Sequence, residues 1–257
     1  MTLLALVASS TAAEAQIQDN SFLLEEAYNQ ERGVVQHIST FQRTNGGDWE
    51  YGFTQEWPLG GMRHQLSYTI PVQRANGFGT GLGDVALHYR YQLAGHPEAK
   101  TVMAPRVSIL FPTGSEERGR GAGATGFQGN LPLSLVLGSR LVSHWNAGAT
   151  ATPSARNELG NRATTLGLNA GGSVIWLARP SFNLLVEAIW ESTESVVGDG
   201  RTNREESWAL SPGLRLAFDG PGGLQVVPGL AYTIGLGPAS NEDALFLYLS
   251  LEHPFKR

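Results

Sequence analysis

Cysteine is missing altogether from this 257-residue chain. Disulfide frameworks, thiolate metal sites and cysteine nucleophiles are therefore excluded. Long apolar runs are missing too, since none reaches the roughly 18 residues of a membrane-spanning helix. A helical membrane protein is excluded, whereas a barrel is not, because its strands alternate polar and apolar residues. Charge of one sign is also lacking: the net charge is −5 with acids and bases interspersed, which argues against a nucleic-acid partner. The histidines, His37, His64, His88, His96, His144 and His253, form neither an H-E-x-x-H motif nor any paired metal spacing. No Walker-type phosphate loop occurs, so neither a metal nor a cofactor is expected.

What the chain does have is glycine and alternation. Its 32 glycines exceed the average usage of about 7% and cluster between apolar-periodic segments, as turns and strand kinks would. In GLGDVALHYRYQL, Asp84, Ala86, His88, Arg90 and Gln92 share one parity, and Val85, Leu87, Tyr89, Tyr91 and Leu93 share the other. DWEYGFTQEW, RHQLSYTIPV and the segments near Trp208 and Leu230 repeat the pattern. Period two is the β signal, and no stretch of period 3.6 competes with it after residue 32. Twelve strands are predicted, over roughly residues 33–43, 48–58, 62–73, 82–94, 100–112, 127–138, 140–152, 163–178, 181–192, 205–219, 223–235 and 243–255. Most are about ten residues or longer, against the five or six usual in soluble sheets. Ten tilted residues is what a hydrocarbon core demands.

The connections alternate in length. PLGG, AGHPEAK and DGPGG are tighter, while PTGSEERGRGAGATG and ESTESVVGDGRTNREE are longer. Short periplasmic turns and long outer loops alternate this way in outer-membrane barrels, and an even strand number puts both termini on the short-turn side. The fold expected is therefore all-β, a transmembrane antiparallel up-and-down β-barrel of about twelve strands over residues 33–257, in the bacterial outer membrane. Ahead of it, MTLLALVASSTAAEA holds a short apolar stretch ending in an A-x-A signature and reads as a signal peptide over residues 1–15. Residues 16–32 form a periplasmic leader, in which SFLLEEAYNQE is the one plausible short helix, capped by Ser21 or Asn20 with Glu25 and Glu26 in its first turn. Such a helix sits at the periplasmic mouth or folds into the lumen, and the alternative is a loosely ordered lead into the first strand.

Parity sorts the side chains into two faces. Trp49, Trp57, Tyr89, Tyr91, Trp145, Trp176, Trp190, Trp208 and Tyr232 lie on the apolar one, often near strand ends, where headgroup-level aromatic belts form. The polar face carries Glu50, Glu56, Arg63, Asp84, His88, Arg90, Arg106, Glu187, Arg215 and Asp219. Export, strand length and loop asymmetry assign that face to the lumen. Such a mixed set of charges either lines a water-filled pore or forms a salt-bridge network that plugs a small barrel. GAGATG at residues 121–126 matches a dinucleotide fingerprint only formally, because it joins a charged loop to a strand and not a strand to a helix. Ser143 and His144 are neighbours on a strand and point to opposite faces, so they cannot form a nucleophile–base pair. No G-x-S-x-G occurs, and no enzyme activity is expected.

SFLLEEAYNQERGVVQH, WEYGFTQEWPLGGMRHQLSYTIPV, GLGDVALHYRYQL and APRVSILFPTGS together resemble the outer-membrane β-barrel family named for the MetA pathway of phenol degradation. The likeness covers most of residues 20–150, and its most specific pieces are the G-x-G-D strand start and the P-T-G after the fifth strand. The resemblance implies a passive outer-membrane channel, transporter-like, for small hydrophobic or aromatic solutes, with membrane lipid around it. The alternative function is a structural or surface-interaction barrel that moves no solute, and a more distant one is an envelope lipid hydrolase.

Overall fold

In hydrocarbon no backbone N–H or C=O can be left unpaired, so a membrane-spanning sheet has to close on itself. The computed structural model describes residues 20–75, 77–96, 99–240 and 242–255, and residues 1–15, read as a signal peptide, lie outside them. The strands in chain order are β1 (Val34–Thr44), β2 (Trp49–Pro58), β3 (His64–Ala75), β4 (Gly79–Leu82 and Val85–Tyr91), β5 (Thr101–Met103 and Arg106–Phe111) and β6 (Gly126–Asn130 and Leu133–Gly138). They continue with β7 (Leu141–Arg156), β8 (Arg162–Arg179), β9 (Phe182–Gly198), β10 (Arg201–Leu216 and Phe218–Asp219), β11 (Gln225–Leu236) and β12 (Ala244–Pro254). Each pairs antiparallel with its sequence neighbours, and β1 seals the ring against β12, from Val34 opposite Pro254 to Thr44 opposite Ala244. The expected closed twelve-stranded barrel is the fold observed. Two of its breaks hold Pro105 in β5 and Pro132 in β6, residues that cannot donate to a ladder.

The faces fall as parity requires. Along β12, Leu245, Leu247 and Leu249 are exposed on the outside, while Phe246, Tyr248 and Ser250 are buried within. Register carries Leu247 beside Leu230 and Leu230 beside Leu214, an apolar row around the outer wall. Trp57, Tyr91 and Trp145 stand outward toward the rim that holds the chain ends of the barrel, the terminal rim. Trp190 and Trp208 pair toward the opposite, distal rim, with ring centroids 6.1 Å apart.

Two expectations are corrected. ESTESVVGDGRTNREE is not a long loop: β9 and β10 run through it and meet at a turn of Asp199 and Gly200, where Gly200 takes φ 66°. Its alternating polar residues keep the ladder going beyond the aromatic pair, so β7, β8 and β9 reach 16, 18 and 17 residues and the first segment of β10 reaches 16. That exceeds the roughly ten needed to cross the hydrocarbon. Unequal strand height, more than loop length, marks the distal rim. The second correction concerns SFLLEEAYNQE, which is not helical; Asn20–Gly33 is irregular chain folded back inside the ring.

With no native cysteine, a single introduced thiol reports facing directly. Glu191→Cys should react with a membrane-impermeant maleimide in bilayers, and Leu247→Cys should be protected; the reverse order would mean an inverted barrel. Leu214→Arg should cost about 2–4 kcal/mol in urea unfolding from bilayers, the penalty for an arginine on the lipid face near the midplane.

Candidate functional site: an occupied lumen

The leader stays non-helical because the barrel wall supplies the partners that a helix would have found within itself. Glu187 on β9 turns one carboxylate oxygen to three successive amides, those of Phe22, Leu23 and Leu24, at 3.2, 3.0 and 3.1 Å. Asn146 on β7 accepts from the Glu25 N–H at 2.8 Å and donates to the Glu25 carbonyl at 2.7 Å. Ser134 on β6 accepts from Ala27 N–H at 2.8 Å, and Gln65 on β3 from Gln30 N–H at 2.7 Å. From β4, Arg90 donates to the carbonyls of Glu26 and Tyr28 at 3.1 and 2.6 Å and to Asn29 Oδ1 at 3.0 Å. These partners sit all around the ring, so the leader crosses the bore.

Charge and shape reinforce the seat. Arg106 pairs with Glu25 at 2.6 Å and also touches His88. Arg90 lies 3.7 Å from Glu26 and 3.8 Å from Glu56. Burial opposes ionisation of Glu25, yet Arg106, aided by Arg90, holds its carboxyl below the usual range; at Glu26 burial outweighs the pull of Arg90 and raises it. The Phe22 ring packs against Phe246 and Tyr248, at 5.7 and 5.1 Å between centroids, with Arg215 5.8 Å from its centre. Glycine makes this possible. A Cβ at Gly229 would overlap Phe22, and one at Gly171 would lie 2.7 Å from Leu24 Cδ2.

On the distal side of the leader are two cavities of about 580 and 550 Å³. The first is lined by Phe22, Ile38 and Tyr248 together with Glu50, Asp84 and Arg120, and the second by Leu24, Asn146 and Glu191 among others. The loop between β5 and β6 leans over the first. Asp84 accepts from the amides of Gly114 and Ala122 at 2.9 and 2.8 Å, and Thr113 donates to Gly83 O at 2.8 Å. The G-x-G-D and P-T-G pieces are thus one structural unit, and it tucks Arg120 inward to the carbonyl of Phe78 at 3.1 Å.

Of the residues expected in the lumen, Glu50, Glu56, Asp84, His88, Arg90 and Arg106 line the first cavity. Glu187 and Arg215 are fully buried beneath the leader. Asp219 is exposed at the terminal rim, where Gln225 donates to it at 3.1 Å. Arg63 does not reach the wall: it is exposed in the turn over residues 59–63, because β3 starts one residue later, at His64. Glu25 and Glu26, expected in the first turn of a short helix and not among the lumen charges, join the lining of the first cavity. His144 meets a different serine from its sequence neighbour: its Nδ1 lies 2.7 Å from Ser134 Oγ on the neighbouring strand. Both are fully buried under Ala27.

A closed twelve-stranded ring with an apolar exterior, tryptophans toward both rims and a polar, occupied interior is an outer-membrane β-barrel of bacteria. It is similar to the COG4313 outer membrane channel from Pseudomonas putida F1, at 15% identity and TM-score 0.63 over 91% of this chain and 99% of that one. It is similar also to the NanC porin, at 12% identity and TM-score 0.57 over 86% and 100%. The KdgM porin gives 7% identity and TM-score 0.50 over 86% and 99%. The chain belongs to the family described as putative MetA-pathway of phenol degradation, whose model matches residues 14–232. No curated protein sequence matches it.

Arg90→Ala removes three hydrogen bonds from the leader and leaves Glu26 and Glu56 without their shared counter-charge, a loss of about 3–5 kcal/mol for a broken buried pair. Hydrogen exchange should then speed up across residues 22–30 while the barrel ladder stays protected. Unchanged protection of those amides would show that Arg90 does not hold the leader.

Proposed function

We propose that this chain is a passive outer-membrane channel for small solutes of hydrophobic or aromatic character, exported by a signal over residues 1–15 and surrounded by lipid. The observation that carries the reading is the lumen itself. It offers two cavities on the distal side, with an aromatic and aliphatic patch of Phe22, Ile38 and Tyr248 set among polar groups. That mixture suits a solute with an apolar body and a polar edge. Passage to the periplasm then requires the leader to yield, and its seat is made of separate hydrogen bonds of about 0.5–1.5 kcal/mol each, which can be released stepwise. No enzymatic role is proposed. The Ser134 hydroxyl is already engaged by His144 and by Ala27 N–H, and no substrate can reach it under the leader.

The second reading is a structural barrel that passes nothing, and the same filled cross-section favours it. Conductance in planar bilayers and swelling of proteoliposomes in small aromatic solutes separate the two. Stepwise currents and solute-dependent swelling support the channel; silence in both assays, in the wild type and in a variant lacking residues 20–30, supports the structural barrel.

The charges give the channel a sign. Six carboxylates line the two cavities (Glu25, Glu26, Glu50, Glu56, Asp84 and Glu191) against three guanidiniums (Arg90, Arg106 and Arg120). Arg90 and Arg106 are matched by Glu25, Glu26 and Glu56. Asp84 and Arg120 offset each other in charge while each is engaged by loop backbone, which leaves Glu50 and Glu191 to set the potential. Reversal potentials in a salt gradient should show cation preference, reduced in the double variant Glu50→Gln, Glu191→Gln. The difference should grow as salt falls from 0.1 M to 0.01 M, where the Debye length rises from about 10 to about 30 Å. Anion preference in the wild type would refute this assignment.

A further inference from the structure

His37 and His253 are 216 residues apart in the chain and meet only because the barrel closes. Both stand on the outer face near the terminal rim, opposite in parity to the inward Gln36 and Glu252, and both are half-buried. Their Nε2 atoms are 3.1 Å apart, with ring centroids 5.2 Å apart and planes 19° from parallel. The rings therefore face nitrogen to nitrogen. Phe53 flanks His37, its ring centroid 6.2 Å away. A tetrahedral ion with metal–nitrogen bonds of about 2.0–2.1 Å holds two ligand nitrogens about 3.3–3.4 Å apart. The observed separation falls a few tenths of an ångström short of that span.

The second observation is the outer end of His253. Its Nδ1 lies 3.3 Å from the carbonyl oxygen of Pro254. A proton there donates to that carbonyl and leaves Nε2 with its lone pair outward, the arrangement that orients metal-ligating histidines. His37 then carries the shared hydrogen on Nε2. Binding an ion needs this neutral ring to move its proton to Nδ1, with no net release, and both rings to turn so that their Nε2 lone pairs converge on a point beside the nitrogen–nitrogen line.

We propose that His37 and His253 form a two-histidine site for a transition-metal ion of the kind imidazole suits, Zn²⁺ or Cu²⁺, with water in the remaining positions. Among the described residues no group of three or more His, Cys, Asp and Glu is placed to hold a metal. The ion is therefore exchangeable and not a resident structural one. It bridges the first and last strands at the seam, so occupancy should tighten closure of the ring.

The test uses the full chain without a polyhistidine tag, in detergent and in bilayer discs. Titration with Zn²⁺ should show one saturable equivalent, and Cu²⁺ should give an electron paramagnetic resonance spectrum with two nitrogen ligands. The temperature of the heat-induced band shift on gels should rise with Zn²⁺. His37→Gln and His253→Gln should each weaken binding about tenfold or more and abolish the shift in temperature. His64→Gln, at another outward histidine, should change neither. A wild-type chain with no saturable equivalent, or without a two-nitrogen spectrum, overturns the proposal whether or not the variants fold. So does binding that survives both substitutions.

Discussion

Hydrocarbon offers no hydrogen-bond partner to a peptide group, and this barrel depends on that fact from end to end. A single open edge would strand a row of N–H and C=O groups in lipid. The ladder between β1 and β12 removes that edge along the whole of both strands. Closure in turn fixes an inside and an outside, and alternation along each strand then decides which residue types each side receives. Leucine, tryptophan and tyrosine meet lipid; serine, glutamine, arginine and glutamate are turned inward, where they must be satisfied without bulk solvent.

The leader resolves that second problem. Its irregular backbone carries donors and acceptors that no helix or sheet consumes, and the inward side chains are spaced to take them. Glu187 absorbs three amides at once, and Arg90 spreads its guanidinium over two carbonyls and a side-chain amide. The apolar side chains of Phe22 and Leu24 fit where the wall has given up its own side chains at Gly213, Gly229 and Gly171. Wall and leader are complementary in charge, hydrogen bonding and volume.

Most of the barrel was legible because period two is a property of each strand by itself. Strand number, facing, the lumen positions of His88, Arg90, Arg106 and Glu187, and the family all follow from local alternation and short words. What escaped depends on distant partners. SFLLEEAYNQE has the composition of a helix start, and only the ring of donors and acceptors around it makes the irregular form better. The stretch between β9 and β10 looked like a loop because its residues are charged, yet alternation continued through it. Arg63 was on the right parity but one residue outside the strand. Ser134 and His144 are ten residues apart, and His37 and His253 sit near opposite ends of the chain; register, not spacing, joins them.

The tall side of the wall has a consequence for what the protein tolerates. β7 to β10 stand as four adjacent strands, and beyond Trp190 and Trp208 their outer parts are wet on both faces. There the ladder is no longer protected by lipid. It relies on cross-strand partners such as Arg204 and Glu194, 2.9 Å apart, in a medium where water and salt compete for the same groups. The girdled zone responds to the thickness and chemistry of the amphiphile around it, and this upper sheet responds to ionic strength and denaturant. One continuous hydrogen-bonded surface is thus governed by two solvents, with the boundary drawn at a pair of tryptophans.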